Sequence, residues 1–495
     1  MTDILLTHSY HLYYDSKQVR KMQPYPPLGT LYAAALLRQS GYTVAVFDTM
    51  LHDPEQGFRE ALQRYRPKIV VVYEDSFNFL SKMCLTRMRE VAYQIVETAR
   101  QAGAIVLANG SDASDHVADY LQAGFLAVLL GEGEWSLLET VNELGNSDKA
   151  DLSQIPGLAY LDDAGRVRQT IHRPLLRDLD RMPLPARDLV NLQPYQQAWH
   201  EAHGYFSSNM ISSRGCPFHC NWCAKPIYGN SFALRSPKQV AYEMSVLKNQ
   251  YGVEHIWFAD DIFGLKARWV QDLAQEVEEL NAAVPFKMQS RVDLIGPATA
   301  QALRRAGCVE VWMGVESGSQ KILKAMDKGT HVEQVVTARA NLQREGIRAC
   351  YFLQFGYPGE NWDDIQQTVQ LVRTTRPDDV GISVSYPLPG TKFYERVREQ
   401  LGAKTNWEDS GDISMMFHGT YTNEFYRALH DYLHAEVDSR NSHHGLSGHV
   451  RDTGQLWRAI TQMEPRCRNA NATSFSECPR EDLVQLRPAE GLGTF

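Results

Sequence analysis

The stretch that decides how this chain folds is Ser213-Arg-Gly-Cys216-Pro-Phe-His-Cys220-Asn-Trp-Cys223. Its three cysteines follow the spacing C-x3-C-x2-C and come directly after a predicted strand. Cysteine thiolates bind iron–sulfur clusters, and a [4Fe–4S] cluster normally takes four of them. Three ligands leave one iron open, as catalytic metal sites keep an open position. The spacing therefore predicts a [4Fe–4S] cluster held by Cys216, Cys220 and Cys223.

Zinc is the alternative metal for these thiols, but a structural zinc site needs a fourth ligand. His219 lies between two of the cysteines, where it is poorly placed to serve, and no second C-x-x-C follows nearby. Isolated cysteines are usually small buried hydrophobic residues. We expect this of the five scattered cysteines, with an auxiliary site at the last two as the alternative: Cys84, Cys308, Cys350, Cys467 and Cys478.

Around the three cysteines, strand and helix patterns alternate with a period of about 30 residues. The predicted strands are Ser207–Ser212, His255–Ala259, Lys287–Arg291, Val309–Val315, Cys350–Phe355 and Val380–Tyr386. The predicted helices are Pro237–Tyr251, Arg268–Ala282, Pro297–Ala306, Ser319–Met326, His331–Glu345 and Trp362–Thr375. Six β/α units predict a partial (β/α)6 barrel, with its chemistry at the carboxyl ends of the strands.

The first 140 residues show a second alternation of short apolar strands and helices. The predicted strands are Ile4–Leu6, Val44–Phe47, Ile69–Tyr73, Ile105–Ala108 and Ala127–Leu130. Continuous apolar strands between helices are typical of a parallel sheet covered on both faces. This region is therefore predicted to be a doubly wound, Rossmann-like domain that binds ligands at the carboxyl edge of its sheet.

The whole chain is expected to be α/β, with four parts. These are a Rossmann-like domain (1–145), a linker (146–200), a barrel (201–400) and a mostly helical C-terminal extension (401–495). Asp162–Gly165 is a predicted hairpin turn, and the proline-rich segment Met182–Asp188 is typical of a linker. After residue 436 the sequence is polar and weakly periodic, so a tail that is loose or only partly ordered is expected.

Composition limits the functional classes. The 495 residues contain 50 Lys and Arg against 59 Asp and Glu, a formal net charge of −9, so the chain lacks the basic excess of a nucleic-acid binder. No apolar run is long enough for a membrane span, and the first residues do not form a secretory signal. A cytoplasmic protein without nucleic-acid partners is expected.

The C-x3-C-x2-C spacing after a first barrel strand resembles the radical S-adenosylmethionine (SAM) superfamily. Five further segments match that family's strand motifs in order: Phe258-Ala-Asp-Asp-Ile-Phe263, Gln289-Ser-Arg-Val-Asp293, Gly314-Val-Glu-Ser-Gly318, Phe355-Gly-Tyr-Pro-Gly-Glu360 and Tyr386-Pro-Leu-Pro-Gly-Thr391. The resemblance covers about residues 205–400. It implies that the open iron binds SAM and that the cluster cleaves it to a 5′-deoxyadenosyl radical.

The resemblance also implies SAM contacts at the strand ends. The predicted contacts are Asp260 and Asp261 for the methionine amine, Gln289, Ser290 and Arg291 for the ribose and carboxylate, Glu316, and Arg235 for a carboxylate. Three alternatives remain open. Asp261 could instead cap the following helix, Glu316 could form a salt bridge to a barrel cation, and Arg235 could be an ordinary surface arginine.

The first region is similar to the cobalamin-binding domain of cobalamin-dependent radical SAM enzymes. The similarity rests on Pro26-Pro-Leu-Gly-Thr-Leu-Tyr-Ala-Ala-Ala35, Gly41-Tyr-Thr-Val-Ala-Val-Phe-Asp48 and Gly131-Glu-Gly-Glu134. It implies cobalamin contacts at the ends of the strands. The residues predicted to make them are Leu28, Glu74, Asp75, Ser76, Gly110, Ser111, Gly131 and Glu132.

Two positions depart from that pattern. Domains that ligate cobalt carry D-x-H-x-x-G, whereas Asp48-Thr-Met50 has methionine in place of the histidine, and the spacing of His52 is wrong. The usual Gly-Gly near the nucleotide tail is replaced by Asn109-Gly-Ser-Asp112. We therefore expect bound cobalamin to have no histidine on its lower face, with a vestigial domain that binds no cofactor as the alternative.

The resemblance implies a cobalamin-dependent C-methyltransferase that acts on a small-molecule, lipid or peptide substrate. It also implies an electron donor such as flavodoxin or ferredoxin. An oxidative cyclase or rearrangement enzyme similar to the anaerobic magnesium-protoporphyrin monomethyl ester cyclase shares the domain order and remains open. A non-catalytic cobalamin or redox sensor is the alternative from another class.

Overall fold

The computed structural model of this chain describes residues 2–77, 85–146, 150–225, 227–402, 413–439 and 452–469. Its strands are β1 (Ile4–Thr7), β2 (Val44–Phe47), β3 (Ile69–Tyr73), β4 (Ile105–Asn109), β5 (Ala127–Leu129), β6 (Leu158–Leu161), β7 (Val167–Gln169), β8 (Ser207–Met210), β9 (Ser213–Arg214), β10 (Ala233–Leu234), β11 (His255–Phe258), β12 (Phe286–Ser290), β13 (Cys308–Glu316), β14 (Arg348–Phe355) and β15 (Asp379–Val384). Each strand predicted from the sequence is present, with its ends shifted by at most two residues.

Helices connect the strands and continue after the last of them. They are α1 (Ser16–Lys21), α2 (Leu28–Gln39), α3 (Gln56–Tyr65), α4 (Leu85–Gln101), α5 (Ser111–Asp115), α6 (Val117–Ala123), α7 (Glu134–Asn146), α8 (Gln193–His203), α9 (Pro237–Tyr251), α10 (Ala267–Glu279), α11 (Pro297–Ala306), α12 (Gln320–Ala325), α13 (Val332–Arg344), α14 (Trp362–Thr375), α15 (Lys392–Leu401), α16 (Asn423–Asp438) and α17 (Thr453–Met463). Across the described ranges, none of these helices is both long and apolar enough to span a membrane.

The first sheet has the strand order β2-β1-β3-β4-β5-β6-β7. Strands β1 to β5 are parallel, as predicted for a Rossmann-like domain, whereas β6 and β7 are antiparallel. The hairpin β6–β7 turns at Asp162–Gly165, the predicted turn, where Gly165 N donates to Asp162 O at 2.8 Å. The segment predicted as linker, 146–200, therefore contains two strands of the first sheet.

The second sheet is parallel, with the order β8-β11-β12-β13-β14-β15. This is the predicted partial barrel of six strands, and the helices α9 to α14 connect its strands. A separate antiparallel ladder of β9 and β10 stands just beyond the end of β8, with Ser213 opposite Leu234 and Arg214 opposite Ala233. The ladder closes the base of residues 215–232, which we call the cluster loop because they contain the three clustered cysteines.

The carboxyl edge of the first sheet packs into the apolar core of the barrel, whereas the two faces of that sheet carry separate apolar clusters. Buried side chains at the carboxyl edge of the first sheet belong to the same cluster as the barrel interior, and these include Tyr10, Tyr25, Tyr32, Met50 and Phe77. The carboxyl edge of the first sheet therefore faces the barrel and the cluster loop. This packing brings the two regions with predicted ligand chemistry together.

The described part of the C-terminal extension is mostly helical, as predicted. Helix α17 lies in the segment predicted to be loose or only partly ordered, and its Trp457 stacks on Trp362 of α14 with ring centroids 5.4 Å apart. Trp457 also contacts Tyr432 of α16, with centroids 5.1 Å apart, so aromatic contacts with two helices hold α17. Cys308, Cys350 and Cys467 are buried, as predicted, whereas Cys84 and Cys478 lie outside the described residues.

Candidate active site at the facing sheet edges

The cluster loop is held from within by Lys225. Its ammonium group donates to the carbonyl oxygens of Cys216, at 3.0 Å, and Phe218, and to Asn230 Oδ1 at 2.6 Å. Three acceptors from one loop fix its path around a single cation. Lys225 was not singled out from the sequence, although its place two residues after Cys223 is the signal that would have found it.

Asp260 holds the base of the cluster loop. Its carboxylate accepts from Ser212 N at 3.0 Å, from Ser212 Oγ at 2.9 Å, and from Ser213 Oγ. Burial raises the pKa of Asp260 to about 6, and these hydrogen bonds oppose the rise. The structure therefore commits the Asp260 side chain to protein contacts at the loop base, where the sequence predicted a contact to SAM.

Asn221, between the second and third cysteines, fastens the loop to the far side of the barrel. Its side chain donates to Ala325 O at 2.7 Å and accepts from Tyr357 OH at 2.8 Å. Its backbone N donates to Met326 O at 3.0 Å, and its backbone O accepts from Phe393 N at 3.0 Å. An asparagine can serve as donor and acceptor at once, which explains this residue type at the position.

The predicted residues at the end of β12 also contact protein. Arg291 forms a bidentate pair with Asp293, at 3.0 and 3.1 Å, and its guanidinium lies 3.7 Å from the ring centroid of Phe218 in the cluster loop. Gln289 Nε2 donates to Asp260 O at 2.7 Å, and Ser290 Oγ donates to Phe263 O at 2.9 Å. Of the three, Arg291 contacts the cluster loop, and the SAM contacts of all three stay a prediction.

Glu316 pairs with a barrel cation, which was the alternative interpretation. Lys328 Nζ donates to Glu316 Oε1 at 2.7 Å, and both side chains are buried. Glu316 attracts Lys328 strongly enough to raise the pKa of its ammonium group, although burial acts in the opposite direction. A neighbouring Cys220 thiolate would also stabilise the charged lysine.

Arg235 and Asp261 differ most from their predicted surroundings. Arg235 is buried, with Nη1 donating to Glu243 Oε2 at 2.5 Å and to Ile211 O at 2.8 Å, so it is neither exposed nor available to a ligand carboxylate. Asp261 is exposed beside the cluster loop. It does not cap the next helix, α10, because Lys266 occupies the N-cap position.

The three cluster cysteines are half-buried and share one loop. Burial raises the pKa of the Cys216 thiol, so metal binding must displace its proton. Among the described residues, no three His, Cys, Asp or Glu side chains converge in the geometry of a metal site. Three thiols on a firmly anchored loop fit a cluster by their chemistry, and the ligand shell would form as the cluster binds.

At the first sheet, Asp75 and Leu28 contact each other. The Asp75 carboxylate accepts from Leu28 N at 3.2 Å and from Gly29 N at 3.0 Å, which satisfies the first amides of α2.

The Glu132 carboxylate also accepts hydrogen bonds from other protein groups. Arg214 Nη1 lies 2.5 Å from its Oε1, and Leu176 N donates to its Oε2 at 2.6 Å.

Glu74 differs from these carboxylates. Its Oε1 accepts from Ser9 N at 3.0 Å, but its Oε2 and the Ser9 hydroxyl are buried without a hydrogen-bond partner among the described residues. Gly110 has a φ of +148°, and a Cβ there would lie 2.8 Å from Glu74 Cγ. Unsatisfied buried acceptors call for a donor. The edge thus fits an amide-bearing cofactor such as cobalamin at this point.

A polar network surrounds Asp48, two residues before Met50, which stands where cobalt-ligating domains carry histidine. His8 Nε2 lies 2.8 Å from Asp48 Oδ1, and Tyr195 OH of α8 donates to Asp48 Oδ2 at 2.6 Å. Met50 is buried, and His52 Nδ1 bonds Asp48 O at 3.0 Å. The absence of a histidine from the lower face of cobalamin stays a prediction.

The remaining predicted residues line the space between the sheets. Ser76 and Gly131 lie beside Tyr228 at the domain interface, and Ser111 begins α5 directly after Gly110. A cavity of about 710 Å³ opens beside them, and it is lined by Glu132, His172, residues 174–177, Arg214, Lys225, and residues 227–229 and 231–233. It gives access to the cluster loop from between the domains.

Fold and site together define an α/β chain in which a Rossmann-like sheet edge faces a three-cysteine loop on a partial barrel. Residues 210–372 match the radical SAM superfamily, so the chain contains a radical SAM domain, and the prediction of a radical SAM enzyme is confirmed. The same match implies the predicted cluster and SAM.

Two curated relatives and one solved structure extend the comparison. The chain is 27% identical to an uncharacterized methyltransferase of Pyrococcus horikoshii, covering 77% of this chain and 81% of that protein. It is 25% identical to the anaerobic magnesium-protoporphyrin IX monomethyl ester cyclase of Rubrivivax gelatinosus, over 76% and 67%. The radical SAM methyltransferase TsrM of Kitasatospora setae, solved with cobalamin and a [4Fe–4S] cluster, is similar in fold, with TM-score 0.65, 19% identity and coverages of 83% and 77%.

Proposed function

We propose that this chain is a cobalamin-dependent radical SAM methyltransferase that transfers a methyl group to an unactivated carbon of a small-molecule, lipid or peptide substrate. One observation carries the proposal. Arg214, two residues before Cys216, is bound by the glutamates that follow β5, so the cluster loop and the carboxyl edge of the first sheet meet. A methyl transfer that uses both cofactors requires these two places to be adjacent.

When bound, the cluster and SAM supply a 5′-deoxyadenosyl radical, and cobalamin supplies the methyl group. The chain's own residues hold and enclose these groups. Asp260, Lys225 and Asn221 fix the cluster loop, and the Glu74 carboxylate accepts hydrogen bonds at the first sheet edge. The aromatic interface around Phe77 and Tyr228 keeps water away from the space between the sheets. A reductant such as flavodoxin or ferredoxin delivers the electron.

An oxidative cyclase is the second candidate, and the cyclase relative supports it. That relative aligns with 76% of this chain, so it includes both domains rather than the barrel alone. The two candidates use the same site residues and differ in the fate of the substrate radical. Methylation ends with a new carbon–carbon bond to a methyl group, whereas cyclisation ends with a new ring.

The test is an anaerobic incubation of the reconstituted protein with SAM whose methyl group is deuterated, hydroxocobalamin, a reduced flavodoxin and a metabolite extract. A methyltransferase forms both 5′-deoxyadenosine and S-adenosylhomocysteine, and a product in the extract gains the labelled methyl group. Formation of 5′-deoxyadenosine with an unlabelled ring product would favour the cyclase. Absence of SAM cleavage would contradict both.

Two variants control this experiment. Cys216→Ala removes a cluster ligand and is expected to abolish SAM cleavage. Cys350→Ala removes a thiol that is fully buried in β14, away from the loop, and this variant is expected to retain SAM cleavage. Equal loss in both variants would point to general damage and not to a lost ligand.

A further inference from the structure

Arg214 joins the cluster loop to the first domain by a buried ion pair. Its Nη1 lies 2.5 Å from Glu132 Oε1 and its Nη2 lies 2.8 Å from Glu134 Oε1. The three side chains are 2 to 4% exposed. Buried charges are tolerated only when they are paired and hydrogen-bonded. We call Arg214, Glu132 and Glu134 the clasp.

The strand geometry at the loop base explains why this arginine reaches the other domain. Ser213 and Arg214 form β9, and successive side chains of a strand point to opposite sides. The Ser213 hydroxyl accordingly bonds Asp260 of the barrel, whereas Arg214 crosses to the first sheet. The two residues before the loop therefore tie it to two different sheets.

Aromatic rings enclose the guanidinium. Its central carbon lies 5.4 Å from the ring centroid of Tyr32, 5.3 Å from that of Phe77 and 5.9 Å from that of Tyr228. Phe77 and Tyr228 stack on each other across the domain interface, with centroids 6.0 Å apart. Cation–π contacts strengthen when water is excluded, so the rings add to the pairing and restrict the orientation of the planar group.

Movement of Arg214 would reach both ends of the loop. Gly215, the next residue, has a φ of +79°, and a Cβ there would lie 2.3 Å from the carbonyl oxygen of Ser231. The returning segment of the loop therefore packs directly against the backbone at Gly215. Cys216 follows at once, so Gly215 alone separates Arg214 from the first cluster ligand.

We propose that Arg214 is a positioning residue through which the carboxyl edge of the first sheet sets the arrangement of the cluster loop, so that a ligand bound at that edge changes SAM binding at the cluster. The inference rests on the proposed function for the identity of the two cofactors. A lysine cannot replace Arg214, because a planar guanidinium reaches two carboxylates at once and a single ammonium does not.

The first measurement is hydrogen–deuterium exchange of the full-length protein before cofactors are added. Arg214→Lys is expected to raise exchange in residues 215–225 about tenfold, since local opening sets the rate. Glu134→Gln, which leaves Glu132 to pair with the arginine, should give a smaller increase. Arg187→Lys is the matched control, because Arg187 is equally buried but bonds Asn209 O and Glu243.

The second measurement is the SAM dissociation constant of the cluster-loaded protein with and without hydroxocobalamin. In wild type and in Arg187→Lys, cobalamin is expected to change the SAM dissociation constant about fivefold or more. In Arg214→Lys, the cluster iron should be retained, but cobalamin should no longer change the SAM dissociation constant. A purely structural arginine would not alter this coupling.

Each result decides the proposal. Unchanged exchange in Arg214→Lys, or a cobalamin effect equal to that of wild type, overturns it. If wild type binds cobalamin without any effect on SAM, the coupling is refuted. If wild type binds no cobalamin, the proposed function fails, and the exchange measurement still decides whether the clasp positions the loop. Loss of folding in Arg214→Lys, seen as a lost thermal transition, leaves Glu134→Gln to decide by the same two measurements.

Discussion

The two facing sheet edges use their polar residues differently. At the barrel edge, Asp260, Arg291 and Glu316 are fully engaged with other protein groups. At the first sheet edge, Asp75 is engaged in the same way, but the buried Glu74 Oε2 has no partner in the described part of the chain. A carboxylate at a strand end can thus either hold a loop through hydrogen bonds or keep an oxygen available for a ligand. Residue type alone does not distinguish these two roles.

The physical reason lies in what each edge carries. The barrel edge supports a long loop whose backbone must be satisfied without regular secondary structure, so nearby side chains are recruited to hold it. At the first sheet edge, the buried Glu74 Oε2 has no such structural contact among the described residues. We therefore expect variants at the barrel edge to act through the loop, and variants at the first edge to act through ligand binding.

The largest effect is expected from removing the cluster ligands. The triple variant Cys216→Ala, Cys220→Ala and Cys223→Ala should lose the visible absorption of the cluster and its iron after anaerobic reconstitution, since no thiol remains in the loop. Cys308→Ala should keep both, because that thiol is buried in β13. An unchanged spectrum in the triple variant would contradict the cluster assignment.

The next effect tests the barrel edge. Asp260→Asn should retain the fold but lower SAM cleavage, because the amide oxygen that replaces Oδ1 is uncharged and the amide nitrogen that replaces Oδ2 cannot accept from Ser212 N. Hydrogen bonds to charged groups contribute about 1.5–3 kcal/mol, against about 0.5–1.5 kcal/mol for neutral ones. Chemical unfolding and 5′-deoxyadenosine formation measure the two consequences. A large loss of SAM affinity with unchanged loop exchange would instead favour a direct ligand contact.

A smaller effect tests the first edge through pH. Burial raises the pKa of Glu74 from 4.5 to about 7, so the folded state holds a proton that the unfolded state releases between these values. Stability should therefore fall as pH rises from about 4.5 to about 7, by roughly 3 kcal/mol at most. Glu74→Gln should flatten this part of the unfolding profile.

The same measurement sharpens the comparison when a ligand is added. Hydrogen bonds donated to Glu74 would favour its charged form, so hydroxocobalamin should reduce the pH slope in wild type and leave Glu74→Gln unaffected. Glu360→Gln serves as the control, since burial also raises the pKa of this barrel carboxyl, to about 8, and its loss should leave the effect of cobalamin on Glu74 intact. A cobalamin-insensitive slope would mean that Glu74 faces no ligand.

Replacement of His52 is expected to have no effect on the cobalt spectrum, which makes it the smallest effect of the series. His52→Ala should leave the electron paramagnetic resonance spectrum of the Co(II) form without nitrogen superhyperfine structure, as in wild type, because methionine stands at position 50, where cobalt-ligating domains carry histidine, and the spacing of His52 does not fit that motif. Nitrogen splitting in wild type that disappears in His52→Ala would contradict the predicted absence of a histidine on the lower face.

Much of the fold was predictable because buried parallel strands are continuous apolar runs. The hairpin turn at Asp162–Gly165 was predicted, but the pairing of β6 and β7 with the first sheet was not, since β7 is exposed throughout and carries no apolar pattern. Helix α17 agrees with the expected mostly helical extension, but its bounds were not predicted, since it packs on residues far away in sequence such as Trp362. Local patterns do not contain such contacts.

By itself, the sequence determined the two alternating β/α regions, the turn at Asp162–Gly165 and the three-cysteine loop. These follow from local periodicity and from spacing within one segment. Only the tertiary structure decided which charges meet. Arg214 and Glu132 are 82 residues apart in the chain, and Asp260 and Ser212 are 48 apart. A buried charge is stabilised by whatever lies beside it in space, so its role is set by packing between elements and not by its neighbours in sequence.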